Sequence, residues 1–166
     1  MLIPIPQLPP SARTWIYQAN RALLFPEVEI IKSALTEFCQ QWAAHGQPLE
    51  SNFEILENRF VILLVNEESH AASGCSIDGS VRVMKGLQQQ LGIDFFDRTQ
   101  VPFWIENQIQ TFPTTQLKAA FATGQLTSQS ITFNTLAATK SELDQSWKML
   151  AEKSWLIKYW PKSALS

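Results

Sequence analysis

The sequence predicts an α+β fold of ferredoxin-like type: a β-α-β-β-α-β sandwich followed by a C-terminal β/α appendage. Three observations carry this. Two segments, one opened by Pro26 and one closed by Gly92, repeat apolar residues at three-four spacing and read as amphipathic helices. Between them Phe60 to Val65 is continuously apolar, as in a strand buried on both faces. Aromatic and β-branched runs before the first helix and after the second supply the outer strands, giving four antiparallel strands with both helices on one face and the first and third strands central.

The chain has 166 residues, 45% of them hydrophobic, enough for one globular domain with a real core. The expected division is an extended proline-rich arm over 1–12 and a single α+β domain over 13–166, with the sandwich in 13–105 and the appendage in 106–166. A net charge of −2 gives no basic field to attract nucleic acid or an anionic membrane. Neither partner is expected.

In the arm, prolines at 4, 6, 9 and 10 force extended chain, while Leu2, Ile3, Ile5 and Leu8 offer apolar groups to dock, on their own domain before a neighbour's. There is no basic stretch followed by a long apolar one, so the arm does not read as an export signal. No apolar run approaches the roughly 18 residues of a membrane span. Cys39 and Cys75 lie far apart and suggest no disulfide framework, so a reducing, cytoplasmic setting is expected.

Residues 14–17 read as strand one. In helix one, Pro26 suits the first turn, Glu27 and Glu29 suit the dipole, and Val28, Ile31, Leu35, Phe38 and Trp42 form the buried stripe, with His45-Gly46 as the terminator. Residues 53–57 and 60–65 pair as a hairpin about Asn58-Arg59. Asp78 or Ser80 is expected to cap helix two, whose core stripe is Val83, Met84, Leu87 and Leu91. Pro102 marks residues 101–105 as an edge strand, and Glu106-Asn107-Gln108 turns it back toward Ile109 and Phe112. The appendage offers a helix near 115–121, a break at Gly124, a strand at 131–133 and a helix opened by Ser141 and Asp144.

The densest set of small, polar and reactive residues is Ser73-Gly74-Cys75-Ser76-Ile77-Asp78-Gly79-Ser80, read as a loop leading into helix two. Cys75 just upstream of a helix start is a candidate nucleophile, with His70 or His45 as its base; its bland alternative is a small buried residue in a tight turn. Ser73, Gly74, Ser76, Asp78, Gly79 and Ser80 can alternatively cradle a small anionic ligand on backbone amides, with Arg59, Arg82 or Arg98 completing the site, or they merely cap the helix.

Neither nucleotide-binding glycine motif occurs, and two cysteines with two histidines at no ligand spacing give no zinc site. No cofactor or metal is implied. Asp94 and Asp97 beside Arg98 could hold magnesium, but such a group is commonly a turn with an internal ion pair. Six tryptophans invite a stacking surface, yet Trp15 and Trp42 fall in core patterns and Trp104 on a strand, leaving Trp147, Trp155 and Trp160.

The stretches Trp15-Ile16-Tyr17-Gln18, Ala44-His45-Gly46, Asn58-Arg59-Phe60, 72–78, Asp94-Phe95-Phe96-Asp97-Arg98 and Phe133-Asn134 carry a resemblance covering most of the chain. The chain resembles a family of short, uncharacterised bacterial proteins, some bearing the label "ABC transporter ATPase". That label conflicts with the missing phosphate loop. The resemblance implies no reaction, but draws attention to Gln18, His45, Asn58, Arg59, Cys75, Asp78, Asp97 and Arg98. The reading that follows is a binding or interaction module, monomer or homodimer, with a small anionic ligand or protein partner at 73–80. The alternative is a thiol-dependent enzyme using Cys75.

Overall fold

Residues 1–161 are described in a computed structural model, and their contacts divide into two compact units: Met1–Asp97 with Ala137–Leu143, and Arg98–Leu136 with the chain from Asp144 onward. In chain order the regular elements are β1 (Arg13–Gln18), α1 (Phe25–Gln41), β2 (Ala43–Ala44), β3 (Gln47–Pro48), β4 (Ser51–Leu56), β5 (Phe60–Val65), α2 (Gly74–Leu91), β6 (Gln100–Ile105), β7 (Gln108–Pro113), α3 (Thr114–Ala122), β8 (Ile131–Phe133), α4 (Lys140–Ser146) and β9 (Lys148–Leu150). Among the described residues this is a mixed α+β architecture with four α-helices and three small antiparallel sheets.

The first unit is built on β5. All six of its side chains are fully buried, and it lies between β1 and β4 in the order β1-β5-β4. Each such apolar side chain is worth about 1.5–3 kcal/mol in burial, so stability concentrates here. Tyr17 pairs with Val61 and Trp15 with Leu63, and the face they share packs on Val28, Ile31, Leu35 and Cys39 of α1 and on Met84 and Leu87 of α2. Both helices therefore cover the same face; of the stripes read from periodicity Val28, Ile31, Leu35, Met84 and Leu87 are buried, while Phe38, Val83 and Leu91 are half-buried and Cys39 takes the last buried place in α1. The arm docks on its own unit: Ile3 donates to Ser51 O, Leu8 and Ala12 are buried, and Ser141 donates to Pro10 O.

Four details correct the sequence reading. First, α1 stops at Gln41, and His45-Gly46 is not its terminator. These two residues, at φ 51° and 76°, form the turn between β2 and β3, because two consecutive left-handed residues suit a two-residue hairpin. Second, the β4–β5 turn sits on Glu57-Asn58 (φ 56° and 48°), closed by Arg59 N donating to Leu56 O at 3.0 Å, one residue before the position expected. Third, β1 is an outer strand. Its outer side is met by the returning segment, where Thr14 N donates to Ala138 O and Arg13 bridges Thr139.

The fourth correction concerns 101–105. This stretch is no edge of the first sheet but an inner strand of the second, ordered β7-β6-β8-β9. Pro102 is tolerated because β8 pairs with β6 only at Phe103 and Trp104, and the Pro102 carbonyl accepts the Thr132 hydroxyl at 2.7 Å. In a strand the N and C=O of one residue point the same way, so the missing N–H falls where no ladder bond is called for. The second unit's core joins Val101, Phe103 and Phe112 of this sheet to Leu117, Ala120 and Phe121 of α3 and to Leu126, Ala151 and Leu156.

Candidate functional site

The chain leaves β5 through a polar loop held by its own carboxylates. Asn66 N donates to Glu50 O at 2.8 Å, and its side-chain amide donates to the Glu50 carboxylate at 2.9 Å. One Glu67 oxygen accepts the Ala72 amide at 2.9 Å, while the other meets Arg13 at 3.5 Å. Ser11 donates to Glu68 at 2.9 Å. Residues 66–72 are thus tied to the arm, to β1 and to the chain entering β4.

Helix α2 begins earlier than expected. Its N-cap is Ser73, with extended backbone (φ −85°, ψ 167°) and a hydroxyl accepting the Ser76 amide at 3.2 Å, so Asp78 and Ser80 are not caps. The reason is the Ser-x-x-Ser spacing: the Ser76 hydroxyl donates back to Ser73 O at 2.8 Å, making a reciprocal pair across the first turn. Gly74 to Ser80 is accordingly helix, not an anion-cradling loop. Ser76 and Ser80 are buried, the Ser80 hydroxyl donates to Ile77 O at 2.6 Å, and a Cβ on Gly79 would meet only Phe38 at an ordinary 3.9 Å. Gly79 faces α1 rather than a ligand.

What remains accessible at the start of α2 is Gly74, Cys75 and Asp78, the last two three apart and so on one helical face. The helix start is anchored from inside by Trp42, which is buried and donates its indole N–H to Ser76 O at 2.9 Å. Trp42 in turn lies against Phe38 (centroids 4.9 Å) and Trp15 (5.9 Å). On the approach to the helix, His70 and Ser69 line an open cavity of about 250 Å³ with Met1, Pro48, Glu50 and Asn66.

The other predicted site residues are dispersed. Arg59 stands before the opposite end of β5, about 20 Å from Val65 by strand rise. It is buried, with Nε donating to Ala19 O at 2.8 Å, and burial lowers its pKa; it braces the hairpin against the chain leaving β1. Arg98 is exposed and opens the second unit. His45 is exposed at the β2–β3 turn, and among the described residues no hydrogen bond joins Cys75 to His45 or His70. Asp94 serves a turn, accepting the Phe96 and Asp97 amides on one oxygen at 2.8 and 3.2 Å. No group of three or more His, Cys, Asp or Glu among the described residues could hold a metal ion, and no helix there is long and apolar enough to cross a membrane.

The electrostatic character of this face is acidic. Glu50, Glu67 and Glu68 stand beside it and Asp78 lies on it, while Arg13 is turned to Glu67 and the Met1 ammonium lines the His70 cavity with Glu50. Sequence reasoning missed Glu50, Asn66, Glu67 and Trp42 as builders of the site. The two glutamates directly after an apolar strand were the available signal. No protein-family model matches this chain, and neither does any curated protein or solved structure.

Proposed function

We propose that this chain is a non-catalytic interaction module that engages a protein partner through the exposed face of residues 69–78. The observation that carries the reading is the pinned, acidic surface around the start of α2: Cys75 and Asp78 point out from a helix start fixed by Trp42, with the His70 cavity beside them. A complementary partner surface is rich in donors or basic, since the four carboxylates of this face outnumber the Arg13 and Met1 cations beside them. A small anionic ligand is correspondingly the weaker form of the binding reading. The first unit's strand order, 1-3-2 with both helices on one face, is that of a ferredoxin-like sandwich short of its fourth strand, and we read it as a variant of that arrangement. The same reading keeps the likeness to the short bacterial family, a reducing cytoplasmic setting, and a monomer or homodimer.

A second reading, a thiol-dependent enzyme with Cys75 as nucleophile and His70 or His45 as base, is favoured by one fact: Cys75 is accessible in the first turn of α2, where amides and dipole promote a thiolate. One experiment separates the three. A photo-crosslinker attached at Cys75 is compared with the same group on Asn58→Cys in a Cys75→Ser background, alongside Cys75 alkylation against pH and melting with phosphate or sulfate. The interaction reading expects protein adducts from position 75 and none from 58. Equal adducts from both positions refute it, a thiol titrating well below the ordinary 8.5 or so favours the enzyme, and a melting rise with anions that Ser73→Pro removes favours the anion.

A further inference from the structure

The second unit carries a recess of about 320 Å³ that the reading above does not use. Its walls are Phe121, Leu126 and Trp160, and its rim holds Thr127, Ser128 and Glu152. We infer that this recess is a binding site for a small organic cation of the alkylammonium class, with the positive group held by the Phe121–Trp160 corner and by the Glu152 carboxylate.

Two features converge on a cation. The rings of Phe121 and Trp160 stand 6.4 Å apart and tilted by 54°, a corner rather than a stack, and aromatic faces attract a positive group within about 6 Å of the ring centre. Glu152 is exposed on the rim and, among the described residues, neither salt bridge nor side-chain hydrogen bond engages its carboxylate.

The same unit shows that its aromatic pairs accept ammonium groups. Lys148 Nζ lies 4.0 Å from the Trp104 centroid and 5.9 Å from that of Phe133, and Lys158 Nζ lies 5.0 and 5.2 Å from those of Trp155 and Tyr159. No lysine or arginine of the described residues lies over Phe121 and Trp160. A ligand with a methylated ammonium and a short apolar body suits the recess better than a bare ammonium ion, because its methyl groups lose little hydration on meeting Leu126 and the rings.

The test uses the full chain and choline as the probe, with its neutral isostere 3,3-dimethylbutan-1-ol as the control, followed by intrinsic fluorescence and melting temperature. The expected result is saturable quenching and a melting rise with choline and neither with the alcohol. Glu152→Gln is expected to weaken choline roughly three- to tenfold, and Trp160→Leu about tenfold or more. Glu152→Gln alters an exposed side chain, so its unliganded melting point should match wild type and folding does not confound the comparison. Equal binding of alcohol and choline, no saturable response to choline, or unchanged affinity in Glu152→Gln overturns the inference.

Discussion

Replacing Trp42 by Phe should loosen the start of α2 before it loosens anything else. The indole N–H to Ser76 O bond, 2.9 Å and buried, is lost, at a net cost of about 1 kcal/mol. Trp42 is only 4% exposed, and the smaller ring leaves part of its volume unfilled against Phe38 and Trp15, adding about 1–2 kcal/mol. The total is about 2–3 kcal/mol. Urea unfolding followed by far-ultraviolet circular dichroism measures it without relying on the altered fluorophore. Amide hydrogen exchange then locates it, and peptides over 66–80 should exchange faster by a larger factor than those over 83–91. A loss below about 0.5 kcal/mol, or acceleration spread evenly along α2, would refute the claim that this indole fixes the helix start.

Three further outcomes follow from the same structure. Ser73→Ala should cost about 1 kcal/mol by removing the hydroxyl that accepts the Ser76 amide, whereas Ser73→Asn should recover most of it; equal stability of all three proteins in urea would show that the cap is idle. Ellman's reagent should titrate Cys75 in the native protein and Cys39 only after unfolding, since burial pushes the Cys39 thiol up to about 11, and two fast thiols would contradict that burial. Bonds from the Arg21 guanidinium first, and the Leu24 amide second, hold the Glu27 carboxyl at about 2, below its ordinary 4.5. A depressed carboxylate stabilises the fold above about pH 4.5 and loses that effect as pH falls toward 2. With Arg21 44% exposed, solvent screening keeps the effect small. The wild-type advantage over Glu27→Gln should therefore shrink across that window, and a pH-independent difference would exclude this origin.

The parts of the fold legible in the sequence are those set by local patterning. The stripe Val28, Ile31, Leu35 and the run Phe60–Val65 announce their burial because period and length leave few other placements. Partner choice between strands is not local, so 101–105 reads as an edge of the first sheet: its pairing with 108–113 is legible in Glu106-Asn107, but its second neighbour, Ile131–Phe133, is set by long-range packing. The candidate site shows the same limit. Cys75, Asp78 and His70 are singled out by residue type, as nucleophile, cap or ligand residue and base, and the structure finds all three exposed; the helix start at Ser73 and the glutamate tethers are not legible, since a Ser-x-x-Ser cap competes with several other capping serines nearby and only tertiary contacts decide among them.

Two of the chain's hairpins reverse on the same dipeptide, Glu57-Asn58 and Glu106-Asn107, with every one of the four residues in the left-handed region. Glutamate is poorly suited to that conformation, and asparagine is better suited but still inferior to glycine. These tips therefore hold unused stability that neither the cores nor the site depends on. Asn58→Gly and Asn107→Gly, or asparagine in place of either glutamate, offer some tenths of a kcal/mol each, making the reversals natural starting points for a hardier version of the protein.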